Sequence, residues 1–423
     1  MSAKITKFTA LEKKILFLSS LGGMLEFYDF VIYGIFSAYF ASQFFPGHDT
    51  LLSIIESYVV FVLGYLARPI GGIIFSHIGD EKGRKQVLII TVVLMGISSL
   101  GIGALPTYAS IGIFAPILLL LLRLLQGLAI GGELPSTYVY VRESIPHKAS
   151  LSFGIIMSVI VSGLLFGMII NFILTRLFNH QQLVDFGWRI PFFIGGALCL
   201  VSYKIRQQLH ETHAFEAIKN KPEFPILHLF KNHTQAVVAG TFITAVLAIS
   251  IVTFIIFMPT YLLKILKFSP AIASSNTLYL TLTTLIVAFC VGYLMEKLHL
   301  GAHKVFKNFT VLAIIASGIA FFMLKNGYSL VIPMIILGTI AGFFTALSPA
   351  IITTLFPTEV RLTGVALCYN LGFSIFGGLA PVVITSIIRN GGNIYLVPFI
   401  CVGVIYVLGF IAINAVKQLR SLT

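Results

Sequence analysis

The 423-residue sequence contains few charged residues, which are 10% of the chain, whereas hydrophobic residues make up 57%. Soluble domains carry roughly 25% charged residues, so this composition excludes a soluble globular protein. The apolar runs are continuous and do not alternate with polar residues, which excludes a membrane β-barrel. The composition therefore predicts an all-α integral membrane protein.

Motifs for metal, nucleotide and redox chemistry are also lacking. The sequence contains no His-Glu-x-x-His pair, no glycine-rich nucleotide loop and no Cys-x-x-Cys. The cysteines lie inside apolar segments, where they indicate packing and not a disulfide or a metal site. We therefore expect neither an enzyme nor a cofactor. The four cysteines are Cys199, Cys290, Cys368 and Cys401.

The net charge of +13 does not by itself indicate nucleic-acid binding. In helical membrane proteins the excess of Lys and Arg lies in cytoplasmic loops. Assigned in this way, the basic residues place both termini in the cytoplasm, and Arg206 stands at the end of the sixth span on that side. The sequence thus predicts a multi-pass membrane protein that contacts lipid and no nucleic acid. We further expect a bacterial inner (plasma) membrane and a monomer.

Hydropathy predicts about twelve transmembrane helices. The longest polar stretch, residues 207–233, is expected to be a cytoplasmic linker between an N-terminal six-helix bundle (1–206) and a C-terminal six-helix bundle (234–423). The predicted spans are 15–41, 52–78, 86–106, 112–140, 152–177, 187–206, 235–263, 270–296, 304–325, 329–355, 360–388 and 393–416.

Two acidic residues, Glu26 and Asp29, stand inside the first apolar run. Ionised carboxylates are costly in a membrane, so they are expected to face a protein interior or a water-filled cavity. On a helix, both acids share one stripe with Gly22 and Tyr33, which is typical of a helix that lines a pathway. The alternative is a structural role, in which the acids pair with a neighbouring arginine.

A second polar stripe lies in the fourth span. A guanidinium can hold a carboxylate by two hydrogen bonds, so Arg123 is a candidate partner for an internal acid or for a substrate carboxylate. Burial favours the neutral form of an acid and a nearby cation favours its charged form, which can poise an acid for proton exchange. The stripe consists of Arg123, Gln126, Ile130, Glu133 and Thr137. The candidate proton carriers are Glu26, Asp29 and Glu133.

The turn after the second span combines an acid, a glycine and a basic pair at the predicted cytoplasmic edge. Asp80 can pair with a nearby arginine or cap a facing helix, and such a contact can hold one face of the protein closed. The alternative is a turn with ordinary basic anchors. The residues concerned are Asp80, Gly83, Arg84 and Lys85.

Together these motifs resemble those of the major facilitator superfamily, and more narrowly its metabolite:proton symporters, which include proline/betaine, 2-oxoglutarate, shikimate and citrate carriers. The resemblance runs in order over nearly the whole chain. Ser76 and Glu81 depart from the family pattern, which has a glycine and a basic residue there, and this predicts a weaker contact at the inner face. The matching residues are 25–30, 67–72, 79–85, 123–133, 187–192, 211–215, 258–261, 356–361 and 369–373.

The resemblance implies two six-helix bundles, related by pseudo-two-fold symmetry, that rock around a midplane site. It implies a secondary active transporter that carries a small carboxylate-bearing metabolite, an organic acid or a zwitterion, by proton symport. The alternatives are a facilitator or exporter on the same fold, or a membrane receptor that does not translocate. Residues expected to contact substrate are Arg123, Gln126, Tyr28, Tyr369 and Asn370. Residues expected to act in gating are Asp80, Gly83, Arg84, Lys85 and Arg68.

Overall fold

The computed structural model describes residues 7–46, 50–217 and 225–415, and within these ranges the chain is helical and contains no β-strand. The α-helices are α1 Ala10–Phe44, α2 Thr50–Leu66, α3 Arg68–Lys82, α4 Arg84–Ala104, α5 Tyr108–Ile111, α6 Phe114–Ser144, α7 Ala149–Leu177, α8 His180–Gln182, α9 Arg189–Arg206, α10 His213–Glu216, α11 Pro225–Asn232, α12 Thr234–Ser250, α13 Met258–Thr260, α14 Pro270–Lys297, α15 Ala302–Lys325, α16 Val331–Ile352, α17 Arg361–Leu371, α18 Ala380–Arg389 and α19 Leu396–Ala415. Wide π-helical turns cover Leu183–Gly187, Ile251–Ile256, Tyr261–Ile265 and Gly372–Gly377, and 3-10 turns cover Pro146–Lys148 and Thr358–Val360.

Within the described ranges, ten helices are long and apolar enough to cross a membrane, and a pair bent by 44°, His180–Gly187 with Arg189–Arg206, raises the number to eleven. The second predicted span, 52–78, corresponds to two shorter helices, α2 and α3, that meet at Ala67. Pro69 stands in the first turn of α3, where its missing N–H is tolerated and where it sets the start of a new helix. The predicted all-helical architecture is confirmed.

The helices form two compact units. The N unit comprises Phe17–Thr137 and Val159–Glu216, and the C unit comprises the described parts of Met1–Leu16, Tyr138–Ser158 and Ala217–Thr423. The units therefore do not follow the linear boundaries at 206 and 234, because the adjoining ends of α6 and α7 belong with the C-terminal residues. The division of the sequence into two six-helix bundles stays a prediction.

In the N unit, α4 packs along α9, and α2 and α3 lie against α6 with backbone touching backbone. A side-chain carbon on Gly127 would overlap the carbonyl oxygen of Gly64, and one on Gly131 would overlap that of Arg68. Only glycine allows this approach. It brings the start of α3, and with it Arg68, close to the helix that carries Arg123.

The core of the N unit is aromatic. The ring centroid of Phe40 lies 5.2 Å from that of Trp188 and 6.2 Å from that of Phe192. Phe36 and Phe44, also on α1, are fully buried in the same cluster. Because these aromatic residues fix α1 against α9, they also fix the orientation of the polar stripe on α1.

The C unit is built on its own helix pairs. Helix α14 packs along α16, α12 packs against α19, and α15 contacts both α16 and α19. The ring of Phe344 lies 5.2 Å from the rings of both Phe306 and Tyr406, which joins α15, α16 and α19 in one core.

Candidate functional site

A small cavity in the N unit collects charged side chains from three helices. Its volume is about 30 Å³, which is room for about one water molecule. Asp29, Arg123 and Gln126 are each no more than 5% exposed, as is Arg68. The lining residues are Asp29, Gly64, Tyr65, Arg68, Arg123, Gln126, Gly127 and Ile130.

A chain of hydrogen bonds joins Asp29 to Arg123 across this cavity. Ser99 donates its hydroxyl to Asp29 Oδ2 at 2.7 Å, and Gln126 Nε2 donates to the same oxygen at 3.2 Å. Arg123 Nη1 donates to Gln126 Oε1 at 2.5 Å. Gln126 thus connects Asp29 to Arg123 by hydrogen bonds. The other carboxylate oxygen, Asp29 Oδ1, accepts no hydrogen bond from the described residues.

Each of the two guanidiniums at the cavity lies over a tyrosine ring. Arg123 Cζ is 3.4 Å from the ring centroid of Tyr33, and Arg68 Cζ is 4.8 Å from that of Tyr65. Cation–π contacts of this kind stabilise a buried cation without neutralising its charge. Among the described side chains that line the cavity, two cations therefore face one carboxylate.

Glu133 lies outside this cavity and forms a closed ion pair with Arg206. Arg206 Nη2 donates to Glu133 Oε1 at 2.6 Å and Nη1 donates to Oε2 at 3.1 Å, and both side chains are fully buried. Arg206 also donates to the carbonyl oxygen of Leu88 at 2.6 Å, and the hydroxyl of Thr91 donates to Glu133 Oε2. Arg206, counted above with the basic residues of the cytoplasmic side, is fully buried, because α9 directs its side chain into the unit.

Four of the five predicted gating residues, Asp80, Gly83, Arg84 and Lys85, meet at the junction of α3 and α4. Arg84 Nη2 lies 3.3 Å from Asp80 Oδ1, both side chains are fully buried, and the guanidinium stands 4.6 Å from the ring centroid of Phe215. Gly83 has φ of 115°, a conformation that favours glycine. Glu211 Oε2 accepts a hydrogen bond from the backbone N–H of Lys85 at 3.1 Å, at the start of α4.

Comparisons with known proteins decide the family. The sequence profile described as Major Facilitator Superfamily matches residues 19–367. The chain belongs to the major facilitator superfamily. A putative proline/betaine transporter of Staphylococcus haemolyticus (strain JCSC1435) is 35% identical over 95% of this chain and 86% of that protein. A glycine betaine/proline/ectoine/pipecolic acid transporter, OusA, of Dickeya dadantii (strain 3937) is 30% identical over 97% of this chain and 85% of that protein.

Solved structures show the same fold. The proton:xylose symporter XylE bound to 6-bromo-6-deoxy-D-glucose superposes with a TM-score of 0.76 at 16% identity, over 95% of this chain and 94% of that one. FucP in the outward conformation gives a TM-score of 0.68 at 15% identity, over 95% and 98%. The twelve-helix superfamily fold predicted from the motifs is confirmed, and no enzyme activity accompanies these relatives' names.

The structure of this superfamily member separates the remaining predicted residues. Tyr28 is a core residue: its hydroxyl donates to the carbonyl oxygen of Pro191 at 2.8 Å, and its ring packs on Phe166. Its predicted contact with substrate therefore has no support from its position. Arg68, predicted to act in gating, lines the Asp29 cavity, and its gating role stays a prediction. Glu26 lies in α1, and its side chain is outside the described part of the chain.

Tyr369 and Asn370 belong to the C unit. The ring of Tyr369 lies 5.6 Å from that of Tyr138 and 4.6 Å from that of Phe373, and Asn370 Nδ2 donates to the carbonyl oxygen of Ala366 at 2.9 Å. Both side chains are buried. Their predicted role toward substrate stays a prediction.

Sequence reasoning missed three residues that complete these clusters. Ser99 holds Asp29, and the Ser98–Ser99 pair inside an apolar span was the available signal. Arg206 carried no local signal, since it stands at the polar end of α9 where charge is ordinary. Glu211 belongs to the matching residues 211–215, but nothing in that motif indicated its contact with the start of α4. Arg189, by contrast, has a structural position: it donates to the carbonyl oxygens of Gly103 and Leu105 at the end of α4.

Proposed function

We propose that this protein is a secondary active transporter that moves a small carboxylate-bearing metabolite together with a proton by alternating access. The observation that carries the proposal is the buried Asp29, joined through Gln126 to Arg123 in a small cavity. The names of its relatives support a zwitterionic substrate such as proline or betaine.

Asp29 is the proposed proton carrier. A neutral carboxylic acid is far less costly to bury than an ion, while the nearby guanidinium of Arg123 favours the ion. A substrate carboxylate that binds Arg123 weakens the stabilisation of ionised Asp29 by that guanidinium. Substrate binding and proton uptake by Asp29 therefore favour each other, as thermodynamic linkage requires. Glu133 is less suited to this role, because both of its oxygens accept hydrogen bonds from Arg206.

Arg123 is the proposed contact for the substrate carboxylate. Its guanidinium lies over the ring of Tyr33, and the planar fork can offer two parallel N–H groups to one carboxylate. Gln126 forms hydrogen bonds with both Asp29 and Arg123. It can keep its bond to one of them when the other binds a proton or the substrate. Proline and betaine each supply one carboxylate for such a contact.

A second candidate substrate is an organic acid with two carboxylates. The specific observation in its favour is that Arg68 and Arg123 both line the cavity, against the single carboxylate of Asp29 among the described lining side chains. Two guanidiniums at one cavity can each hold a carboxylate, so a dianion matches both of them, whereas a zwitterion engages only one. Transport assays with both substrate classes separate the two candidates.

Gating is proposed for the junction of α3 and α4. The buried Asp80–Arg84 pair is intact although Ser76 and Glu81 depart from the family pattern: the Ser76 hydroxyl donates to the carbonyl oxygen of Ile73, and Glu81 points away to an exposed position. Glu211 holds the start of α4 through the N–H of Lys85. We propose that this junction stabilises the closed cytoplasmic face.

The cellular setting of the proposal is the inner membrane of a bacterium, with both termini in the cytoplasm and the protein acting as a monomer. The distribution of Lys and Arg supports this orientation, and the curated relatives are bacterial.

The test is uptake into proteoliposomes with an imposed pH gradient, alkaline inside. Radiolabelled proline, betaine and 2-oxoglutarate are offered in turn, and one of them is expected to accumulate above its external concentration until a protonophore removes the gradient. Equilibration without accumulation would indicate a facilitator. No flux above that of protein-free liposomes, together with ligand binding, would indicate a receptor, and either result would overturn the proposal.

A further inference from the structure

A second and larger cavity lies in the C unit, between the last turns of α15 and the first turn of α19. Its volume is about 270 Å³. Gly318 opens it, because a side-chain carbon at this position would stand 3.2 Å from the ring of Phe399. None of its residues belongs to the Asp29 cavity. The lining residues used below are Gly318, Phe321, Phe322, Lys325, Tyr395 and Phe399, and we call this space the Lys325 cavity.

Contacts within the C unit hold the walls of the Lys325 cavity in place. The buried ring of Phe321 packs edge to face on Tyr261, and the hydroxyl of Tyr261 donates to the carbonyl oxygen of Ile394 at 2.7 Å. The side chain of Asn393 accepts hydrogen bonds from the N–H groups of Tyr395 and its successor Leu396, both at 3.0 Å. The cavity is therefore a formed feature of the unit.

The chemistry of the Lys325 cavity changes from one end to the other. Ring faces of Phe321 and Phe399 make its wall apolar, and Phe322 is 61% exposed on the outside of α15. Lys325, at the last residue of α15, makes no ion pair with any described residue. The cavity thus offers an apolar surface that leads to one unpaired ammonium group.

The same end of the C unit carries further positive charge. Lys264 and Lys267 follow α13, and Arg389 ends α18, so all three lie at the ends of helices that run in the same direction as α15. The described acids of the C unit lie at the other ends of these helices. They are Glu12 in the first turn of α1, Glu143 near the end of α6, Glu296 near the end of α14 and Glu359 just before α17. The surface around the Lys325 cavity therefore attracts an anionic headgroup.

We propose that the Lys325 cavity binds an anionic phospholipid, with the phosphate at Lys325 and the upper part of one acyl chain against the phenylalanine rings. An anionic lipid matches both parts of the cavity, and in a membrane protein it is the amphipathic anion that the surrounding solvent supplies. Helices α15 and α19 are membrane-crossing candidates, so the last residue of one and the first of the other stand at the depth of the lipid headgroups.

The test is native mass spectrometry of the full-length protein in detergent, with added phosphatidylglycerol, phosphatidylcholine of the same acyl chains, or glycerol phosphate alone. Phosphatidylglycerol is expected to remain bound preferentially. Lys325→Ala should weaken its retention about fivefold, the effect of one basic residue near an anionic headgroup, and Gly318→Leu should do the same by filling the cavity. Lys264→Ala is the matched control, since it removes a basic residue of the same end of the unit that does not line the cavity, and it should weaken the retention of phosphatidylglycerol much less than Lys325→Ala.

Three results would overturn the proposal. Retention of phosphatidylglycerol could be unchanged in Lys325→Ala, phosphatidylcholine could bind equally well, or glycerol phosphate alone could bind as well as the lipid, which would indicate a free-phosphate site. The exposed position of Lys325 allows its substitution without loss of packing, so this variant reports on binding even if Gly318→Leu fails to fold. The readout is independent of transport, and its failure would leave the proposed symport untouched.

Discussion

Asp29 and Glu133 are two buried acids of one unit, and their surroundings differ in the property that matters for coupling. Glu133 has a guanidinium in direct, two-point contact and a further hydroxyl donor. Asp29 reaches its guanidinium only through the amide of Gln126 and keeps one oxygen without a described donor. The first arrangement is closed and suits structural stability, whereas the second leaves room for exchange of a partner.

The comparison shows that position on a stripe does not define a role. Arg123 and Glu133 lie on the same face of α6, yet one borders a cavity and the other is enclosed by α4 and α9. The difference is set by what the neighbouring helices present. The four predictions below break or sharpen this contrast, and they run from the largest expected free-energy effect to the smallest.

Removing Arg206 from its buried ion pair with Glu133 should have the largest effect on stability. Arg206→Met leaves the carboxylate of Glu133 buried without its partner, and breaking a buried ion pair costs about 3–5 kcal/mol in the free energy of unfolding. Thermal unfolding in detergent measures the loss. The double variant Arg206→Met, Glu133→Leu should recover much of it, since both charges are gone. A double variant as unstable as the single one would show that the pair itself is not what stabilises this region.

Gly22 of α1, which lies beside the Glu133–Arg206 pair, should be the next most sensitive position to substitution. A side-chain carbon on Gly22 would overlap both Glu133 and Arg206, so Gly22→Ala should cost about 1–3 kcal/mol through overpacking. Gly34→Ala is the matched control on the same helix, because a methyl group there meets open space. Its thermal unfolding temperature should equal or slightly exceed that of the wild type. Equal losses in the two variants would argue against a specific contact at Gly22.

Neutralising Asp29 should abolish the coupling of substrate accumulation to the proton gradient. One pH unit of gradient is worth about 1.4 kcal/mol, which supports about tenfold accumulation per proton carried. Asp29→Asn should bring the accumulation ratio in proteoliposomes to about one while leaving exchange of labelled for unlabelled substrate. Glu133→Gln, in folded protein, should still accumulate substrate. If Asp29→Asn accumulated substrate like the wild type, Glu26 would become the candidate carrier.

More of the Asp29 site than of the Glu133–Arg206 ion pair could be predicted from the sequence. Helical spacing placed Asp29 on a cavity stripe and put Arg123 and Gln126 on a common face, and the structure joins these three. Their grouping was predictable because a membrane makes charge costly, so any charge at mid-span must be accounted for. The ten or eleven helices of the described residues that can cross a membrane were predictable from hydropathy in the same way.

The Glu133–Arg206 ion pair could not be predicted from spacing and hydropathy. Arg206 stands at the last residue of α9, where an arginine normally meets water, and only the packing of α9 along α4 turns it inward to Glu133. No local pattern encodes that partner, since the two residues are 73 positions apart. The role of Glu211 at the start of α4 was missed for the same reason: it depends on contact between distant segments.

The smallest predicted effect concerns Arg123 and reports the substrate class. Arg123→Lys keeps the charge but loses the planar fork, the stacking on Tyr33 and the geometry of the bond to Gln126. Loss of one of two hydrogen bonds to a substrate carboxylate costs roughly 1 kcal/mol, or about fivefold in Kd. The ligand is found by thermal-shift screening of amino acids, betaines and organic acids, and its Kd is measured by calorimetry. Arg68→Lys is the matched comparison, since Arg68 stacks on Tyr65 at the same cavity. A substrate with one carboxylate should lose affinity in Arg123→Lys and little in Arg68→Lys, whereas a dicarboxylate should lose it in both. Wild-type affinity in Arg123→Lys, or a best ligand without any carboxylate, would contradict the role assigned to Arg123.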